Sequence, residues 1–339
     1  MIPRKTSFYE VDEKGNWEFF IDNTLLRYYN ECPASFYERF MRNGTGIVGK
    51  GKRSWAISLG SWWSSTMEMF YTAIQQNKLT QAIAVEAAVH CWGEHKMDEL
   101  SVLPNYEKFG GSFGAVTMIS RYYEAFGELH SKNWEVIAAE KTFGDKRSIF
   151  VGGFGSFKEP CLVHKVYWTG KPDLFIRDRV EDRLMPIDHK TRERIDSDIH
   201  SRFKPHQQIA GYIYSSQKIM SSLGWDKTID RCIVNVAART EPSEKPRDGK
   251  PKPRFVQVYP QFSQEEIEEW RLQILYKVER LQISIESEFF TWNEAACHNY
   301  SGCQYRRLHS VKPSSRDIVI QSDFVPAERW TPYETPEEV

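Results

Sequence analysis

Three short polar segments near the middle of this 339-residue chain constrain its fold most strongly. They are Gly170-Lys171-Pro172-Asp173-Leu174, Pro186-Ile187-Asp188-His189-Lys190-Thr191 and Gln208-Ile209-Ala210-Gly211-Tyr212. The first two fall in short apolar runs, residues 171–177 and 184–190, which the charged stretch 178–183 joins. This pattern predicts a β-hairpin whose two strands each bring an aspartate.

The register of this hairpin decides whether the two aspartates can act together. A turn centred between Val180 and Glu181 places Asp173 directly opposite Asp188. Facing Cβ atoms lie about 4.5 to 5.5 Å apart and Mg²⁺ holds its oxygens at about 2.0 to 2.1 Å, so one ion can bridge both carboxylates. Lys190, two residues beyond Asp188, points to the same face. A slip of one residue would turn one aspartate away.

Gln208 and Tyr212 follow the hairpin at the i,i+4 spacing that places two side chains on one helical face. Their position shortly after the two aspartates and the lysine indicates a site. The alternatives are a solvated hairpin with an ordinary ion pair, a surface amide at Gln208 and a core aromatic ring at Tyr212.

Apolar spacing predicts groups of helices and strands along the rest of the chain. Helices are expected at residues 24–42, 58–76, 80–96, 113–131 and 205–221, and a capping box of Ser263 and Glu266 opens one more, to about residue 290. Strands are expected at residues 134–143, 148–154, 161–168, 171–177, 184–190, 229–237 and 254–259. These elements indicate an α/β protein, with a loop at 240–252 and no readable motif after residue 312.

At the hairpin and helix motifs the chain resembles the PD-(D/E)XK nuclease superfamily, in particular its RecB-like and CRISPR-adaptation-type exonuclease branch, which includes phage-type exonucleases. Residues 25–33, ending in Cys-Pro, are similar to that branch's N-terminal segment, and residues 292–305 are similar to its C-terminal cysteine segment. The resemblance implies a restriction-endonuclease-like core with a central mixed β-sheet flanked by helices, plus an N-terminal helical lobe. We expect an N-terminal helical region at 1–132, the nuclease core at 133–262 and a C-terminal region at 263–339, integrated into one domain.

The resemblance also implies a role for each residue of the central motifs. Asp173 and Asp188 would hold Mg²⁺ or Mn²⁺, which polarises the scissile phosphate and activates a water as nucleophile. Lys190 would orient that water or stabilise negative charge in the transition state. Gln208 and Tyr212 resemble the family's Gln-x-x-x-Tyr motif and would position the DNA strand at the metal.

One position departs from the family pattern. In the stretch 60–68, which matches Gly-x-x-x-His-x-x-x-Glu, Ser64 stands where the family has histidine. A hydroxyl is a poorer cation ligand, which leaves a single metal, recruitment of Glu68 or a weakened site as alternatives. Glu140, on the predicted strand 134–143, is a further candidate ligand. For Glu68 an exposed carboxylate, and for Glu140 a simple ion pair, remain open.

Cys32, Cys297, Cys303 and His309 form a second constellation near the two ends of the chain. In iron–sulfur members of the family, an N-terminal cysteine joins three C-terminal ones around a [4Fe–4S] cluster. Here His309 takes the place of the last cysteine, and three cysteines with one histidine also make an ordinary zinc set. A cluster, a structural Zn²⁺ and unligated core cysteines all remain open.

A formal net charge of −1 and a pI near 6.8 argue against a nonspecific polycation, so DNA contacts require local basic patches. The candidate DNA-binding residues are Arg192, Arg194, Arg202, Lys204, Lys52 and Arg53. No apolar run approaches the ~18 residues of a membrane span and the first residues lack a signal peptide's apolar region, so we expect a cytoplasmic protein without a membrane partner.

These residues together lead to one expected function. We expect a metal-dependent DNA nuclease, more specifically an exonuclease in recombination, repair or phage DNA processing. DNA, single- or double-stranded and at its ends, would be the substrate, with a recombinase or single-strand-binding protein as a further partner and the oligomeric state left open. The alternatives are a catalytically inactive DNA-binding or scaffold protein, for which Ser64 speaks, and an RNA nuclease.

Overall fold

The computed structural model describes residues 5–51, 54–139, 147, 149–155, 163–222, 224–225, 228–241, 253–298 and 302–331. The strands are β1 (Tyr9–Val11), β2 (Trp17–Ile21), β3 (Ile47–Gly49), β4 (Trp134–Ala139), β5 (Phe150–Gly155), β6 (Val163–Trp168), β7 (Leu174–Asp178), β8 (Arg183–Arg192), β9 (Ile233–Ala238), β10 (Phe255–Val258) and β11 (Phe324–Pro326). The helices are α1 (Asn23–Glu31), α2 (Pro33–Phe40), α3 (Trp55–Gln75), α4 (Gln81–Glu94), α5 (Pro104–Phe109), α6 (Gly111–Asn133), α7 (Gln207–Ser222), α8 (Gln264–Glu286), α9 (Glu294–Cys297), α10 (Arg306–Ser310) and α11 (Arg316–Asp323).

The chain forms two compact units, each assembled from separate stretches of sequence. The first unit comprises Met1–Lys52, Thr142–Gly170 and Glu265–Val339, and the second comprises Arg53–Lys141 and Lys171–Gln264. These boundaries differ from the division after residues 132 and 262 that the sequence suggested. The difference arises because β1 and β2, near the N-terminus, pair within one sheet with β5 and β6.

The second unit contains a five-stranded sheet in the order β10-β9-β8-β7-β4. Strands β8 and β9 run parallel, whereas the other neighbours are antiparallel, so the sheet is mixed as expected. Every residue of β9 is buried. A run of apolar residues without alternation is typical of a strand that is covered on both faces.

Helices cover the two faces of this sheet around β8. On one face Tyr71 of α3 stacks on His189, with ring centroids 5.4 Å apart. A Cβ at Gly60 of the same helix would lie 3.6 Å from the Thr191 hydroxyl, so the helix approaches the strand closely there. The adjacent residues Asp188 and Lys190 point to the opposite face, because successive side chains of a strand alternate. Asp188 and Lys190 therefore face the layer that contains α7.

The hairpin of β7 and β8 has the register that the sequence predicted. Leu174 pairs with Ile187, and the ladder continues to the pair of Asp178 and Arg183. The Asp178 carboxylate accepts hydrogen bonds from the backbone N–H groups of Val180 and Glu181 at 2.8 and 3.0 Å, which closes the turn. The turn residues thus fix which side chains of β8 share a face.

The first unit contains two smaller sheets. One has the strand order β1-β2-β6-β5, and the other pairs β11 with β3. Strands β5 and β6, which the sequence placed with the core at 133–262, lie in a separate sheet, where β6 runs parallel to β2 and antiparallel to β5. The strands before residue 23 and the helix and strand after residue 312 were not predicted.

The predicted single helix at residues 24–42 is also corrected. It consists of α1 and α2, separated at Cys32, whose backbone is extended with φ −163° and ψ 108°. Pro33 explains the break, because a residue that precedes proline is disfavoured in the helical region and proline suits the first position of a new helix. In the part of the chain that is described, no helix is long and apolar enough to cross a membrane.

Candidate active site

Asp188 and Lys190 form a close ion pair on β8. The Lys190 Nζ lies 2.9 Å from both carboxylate oxygens of Asp188 and donates a hydrogen bond to Oδ1. Asp188 is only 1% exposed, whereas the Lys190 side chain retains 32% of its exposure. The Oδ2 atom of Asp188 is buried and, apart from this ion contact with Lys190, accepts no hydrogen bond from any described residue. This carboxylate therefore has acceptor capacity for a further ligand.

Asp173 comes directly before β7 and reaches the neighbouring strand. Its Oδ2 accepts a hydrogen bond from the backbone N–H of His189 at 2.5 Å. Its Oδ1 receives a longer one, at 3.5 Å, from the Ser64 hydroxyl of α3. The serine at the position of the family's histidine therefore contacts the carboxylate directly.

The two aspartates together control the charge of Lys190. Burial favours the neutral amine, but the negative charges of Asp188 and Asp173 outweigh it and raise the pKa of Lys190. The ammonium therefore stays charged at neutral pH. Two carboxylates with one ammonium leave one negative charge over, which suits a bound cation.

Two oxygen donors of this kind fit a divalent cation. Mg²⁺ is commonly held by one or two carboxylates and keeps several waters, and no described residue donates a hydrogen bond to the buried Asp188 Oδ2. Within the described ranges, no three or more His, Cys, Asp or Glu side chains are grouped to hold a metal. Glu68 is exposed. Burial raises the pKa of the Cys91 thiol in α4, and the negative charge of Glu68 contributes in the same direction. Glu140 lies outside the described residues.

Gln208 and Tyr212 form a hydrogen-bonded chain that ends on the backbone before Asp173. The Gln208 Nε2 donates to the Tyr212 hydroxyl at 2.8 Å, and this hydroxyl donates to the Lys171 carbonyl at 3.0 Å. Burial, and then the charges of Asp188 and Asp173, raise the pKa of Tyr212 well above its ordinary value. The hydroxyl therefore remains a donor and holds the segment that leads to Asp173.

Three of the predicted DNA-binding residues carry their charge at or near the surface. Arg192 lies on the same face of β8 as Asp188, with its guanidinium 5.9 Å from the centre of the Phe203 ring. Arg194 is exposed, and the exposed Lys204 places its ammonium 5.3 Å from the centre of the Phe262 ring. The row Asp188, Lys190 and Arg192 thus continues the site along one face of β8.

The remaining candidates for DNA binding are either paired with carboxylates or lie outside the described residues. Arg202 pairs with Asp196 at 3.2 Å and with Asp198 at 2.9 Å, so neighbouring carboxylates offset its charge. Lys52 and Arg53 lie outside the described residues.

Sequence reasoning missed two groups beside the aspartates. Cys232 is buried at the start of β9, and burial together with the charge of Asp188 raises the pKa of its thiol well above the ordinary value. His206 directly precedes α7, and burial lowers the pKa of its ring, with opposing effects from Asp188 and Lys190. The one signal in the sequence is that His206 stands two residues before Gln208.

A buried polar network lies behind the site, on the other face of β8. The His189 Nδ1 is 3.3 Å from the Asn235 amide nitrogen, which donates to the Tyr122 hydroxyl. Tyr71 joins the network, 2.7 Å from the Tyr122 hydroxyl and 3.0 Å from the Nδ1 of His130. Burial lowers the pKa of both histidines to about 3. This network was not predicted, because its members come from separate elements.

The cysteines of the first unit are near one another. The Cys303 backbone N–H donates to the Cys297 carbonyl at 3.2 Å, and the Cys303 sulfur lies 3.3 Å from the Ser35 hydroxyl. Burial raises the pKa of Cys297, and the nearby thiols of Cys303 and Cys32 contribute in the same direction. The predicted cysteines are therefore gathered in one region of this unit.

His309 has a different partner from the one predicted. Its Nε2 lies 3.4 Å from the Glu38 Oε1, and the Arg42 Nη2 donates to the same oxygen at 2.8 Å. Burial opposes ionisation of Glu38, but the hydrogen bonds from His309 and Arg42 outweigh it and lower the pKa. Among the described residues, no three or more His, Cys, Asp or Glu side chains are grouped to hold a metal in this region, and the cluster or zinc site stays a prediction.

Comparison with known proteins assigns the family. A search against curated proteins finds no match. Among solved structures, that of LHK-Exo in complex with dAMP is similar to this chain at 14% sequence identity. The match covers 67% of this chain and 94% of the LHK-Exo chain, with a TM-score of 0.23. A family model described as the PD-(D/E)XK nuclease superfamily matches residues 24–308, a span that includes the β7–β8 hairpin and Gln208. The chain therefore belongs to the PD-(D/E)XK nuclease superfamily, and its mixed α/β fold is the one expected for a restriction-endonuclease-like core.

Proposed function

We propose that the protein is a metal-dependent deoxyribonuclease of the RecB-like and CRISPR-adaptation-type branch, an exonuclease that hydrolyses DNA from its ends in recombination, repair or phage DNA processing. Membership of the nuclease superfamily supports phosphodiester hydrolysis. The observation that carries the proposal is the convergence of Asp173, Asp188 and Lys190, with a buried Asp188 oxygen that lacks a donor among the described residues.

Asp173 and Asp188 are the residues that would hold Mg²⁺ or Mn²⁺. A bound ion would supply Lewis-acid polarisation of the phosphate and acidify a coordinated water. Glu68 and Glu140 remain proposed additional ligands, and a site with two protein carboxylates and several waters is sufficient for Mg²⁺.

The protein's own groups supply orientation and charge. Lys190, held charged by both carboxylates, would stabilise the negative charge that develops on the phosphate in the transition state. Tyr212 and Gln208 would keep Asp173 in place through the Lys171 carbonyl, and we propose that they also position the DNA strand. Arg192 would bind the phosphate next to the scissile one.

Digestion of end-labelled linear and circular DNA, each with Mg²⁺, Mn²⁺ or EDTA, tests the proposal. We expect metal-dependent loss of linear DNA and protection of circular DNA. Asp188→Asn should lower the rate by about a thousandfold, because removal of one site charge weakens both ion binding and phosphate activation. Asp230→Asn is the matched control, since Asp230 is an ion-paired aspartate of the same unit, bonded to Arg183 at 3.2 Å.

The second candidate is a protein that binds DNA without cutting it, and Ser64 at the histidine position favours it. DNA binding with no cleavage by the wild type in either metal would establish this candidate and contradict the first. RNA substrates of the same length, run in parallel, identify an RNA nuclease if only they are degraded.

Further proposals concern a second metal site, the location and the partners of the protein. A [4Fe–4S] cluster or Zn²⁺ at Cys32, Cys297, Cys303 and His309 would require His309 to leave Glu38, and iron, sulfide and zinc analysis of anaerobically purified protein tests it. A cytoplasmic location and a recombinase or single-strand-binding partner are the other proposals, which co-purification from the native host tests.

A further inference from the structure

A cavity of about 850 Å³ opens in the first unit between α2 and the segment that follows α8. Its volume lies within the range of about 300 to 1,000 Å³ that is typical of ligand sites. Phe289 and Trp292 line it and remain 67% and 62% exposed. Tyr37 and Phe290 also line it, with ring centroids 5.1 Å apart. Large rings that stay exposed around one cavity mark a binding surface.

The negative charge of Glu38, which lines this cavity, is balanced by neighbouring hydrogen-bond donors. Glu38 is buried and receives hydrogen bonds from Arg42 and His309, which lower its pKa. The Arg42 guanidinium also covers one face of the Tyr37 ring, 5.2 Å from its centre. Glu38 therefore does not repel an anionic ligand as an isolated carboxylate would.

Arg316 brings to the cavity a positive charge that forms no ion pair with a described residue. Its side chain is partly buried in the cavity wall, and it forms neither an ion pair nor a hydrogen bond with the residues that the structure describes. Its Nε is buried and has no acceptor. A buried donor that lacks an acceptor is unfavourable, and a ligand oxygen with negative charge would satisfy it.

We propose that this cavity binds one nucleotide unit of single-stranded DNA. The base stacks on Trp292 and Phe289, and the phosphate binds the Arg316 guanidinium. Aromatic rings beside a guanidinium are the usual means of binding single strands without sequence preference. The exposed Glu288 and Glu294 at the rim suit a basic peptide instead, and the test includes that ligand. The assignment of the nucleotide to DNA rests on the proposed function. The inference that a base and a phosphate bind here rests on the residues of the cavity.

Photo-crosslinking in EDTA tests binding separately from cleavage. The wild-type protein is irradiated with 5-iododeoxyuridine monophosphate, or with an oligothymidylate that carries one 5-iododeoxyuridine, and the adducts are mapped by mass spectrometry. We expect oligonucleotide adducts at Trp292 or Phe289. The proposal is overturned if the oligonucleotide forms adducts only in other regions. It is also overturned if the mononucleotide forms adducts at these rings and the oligonucleotide does not. Metal-dependent cleavage with no adduct at these rings refutes the inference and leaves the proposed function intact.

Affinity measurements with a labelled oligothymidylate in EDTA give an independent test. Trp292→Ala should weaken binding by about fivefold or more, the range known for loss of one stacked base. Arg316→Gln should weaken it and reduce the slope of log affinity against log salt by about 0.7, as expected for one lost phosphate contact. The matched control is Tyr276→Ala, because Tyr276 is 61% exposed on α8 and lies outside the cavity. Equal loss in the control, or a lysine-rich peptide that binds more tightly than the oligonucleotide, contradicts the inference.

Discussion

The β7–β8 hairpin and the cysteine segment of the first unit were both predicted as sites from residue type and spacing. In the hairpin, the structure brings the predicted residues into contact, with Lys190 on Asp188 and Asp173 on the backbone of His189. In the cysteine segment, His309 instead contacts Glu38. Residue type and spacing therefore predicted which residues are close together in the hairpin, but they did not predict the contact of His309 with Glu38.

The difference lies in what fixes each geometry. In the hairpin, one register places every side chain, because the side chains alternate strictly between the two faces. In the cysteine segment, helix ends and loops carry the donors, and a buried carboxylate competes for His309. A buried charge requires partners, and Glu38 obtains them from His309 and Arg42.

Among the substitutions that test this comparison, Lys190→Gln is expected to have the largest effect. Loss of the ammonium should lower metal-dependent cleavage by about a hundredfold to a thousandfold, because one charged donor to the transition state disappears. Cleavage rates and thermal unfolding are measured together, so that loss of fold is recognised. Lys218→Gln on α7 is the control, since Lys218 is exposed and contacts the Tyr214 ring. Activity within tenfold of wild type would show that the hairpin is not the reactive site.

The sequence was sufficient where local rules decide the structure. The charged turn after β7 fixed the pairing of Leu174 with Ile187, and the spacing of Gln208 and Tyr212 placed both on one face of α7. Each of these features depends on neighbours within one or two elements.

The sequence was insufficient where distant segments meet. Strands β5 and β6 look like any other half-buried strands, and nothing local reveals that β6 pairs with β2. The hydrogen bond from the Tyr212 hydroxyl to the Lys171 carbonyl likewise could not be predicted, because side-chain patterns do not show which backbone groups accept side-chain hydrogen bonds. The break at Cys32 could have been read from Pro33.

The pH dependence of stability should sharpen the contrast between His309, which contacts a carboxylate, and His130, which is buried among neutral partners. His130 has neutral partners, Tyr71 and Gln257, and burial lowers its pKa from 6.5 to about 3. The unfolded chain therefore takes up a proton below pH 6.5 that the folded protein does not, so stability falls as pH drops from 6.5 toward 3. This group alone should remove about 2 kcal/mol between pH 8 and pH 5.

His130→Gln tests this linkage through urea unfolding at pH 8 and pH 5. The decrease in unfolding free energy between the two values should be about 2 kcal/mol smaller in the variant than in the wild type. His130→Asn, a second neutral replacement, should behave the same way. Identical decreases in all three proteins would mean that His130 is protonated in the folded state.

Tyr212→Phe should have a smaller effect, limited to the support of Asp173. The Lys171 carbonyl and the Gln208 amide both lose their hydrogen bond with the Tyr212 hydroxyl, which should lower the unfolding free energy by about 1 kcal/mol. The resulting misplacement of Asp173 should lower kcat by about tenfold. Tyr276→Phe, an exposed tyrosine, is the control and should change neither quantity. An unchanged kcat in Tyr212→Phe would assign the pair a purely structural role.

Cys303→Ser should have the smallest effect, and it tests the other side of the comparison. The Cys303 sulfur lies beside the Ser35 hydroxyl, and a serine can take over this contact, so the unfolding free energy should change by less than about 1 kcal/mol. A metal clamp predicts the opposite, because binding of a structural metal contributes roughly 10 kcal/mol or more to folding. Denaturant unfolding with parallel metal analysis, repeated for Cys297→Ser, separates the two. A collapse of stability with loss of bound iron or zinc would show that His309 exchanges Glu38 for the metal, and the two constellations would then be equally well predicted from the sequence.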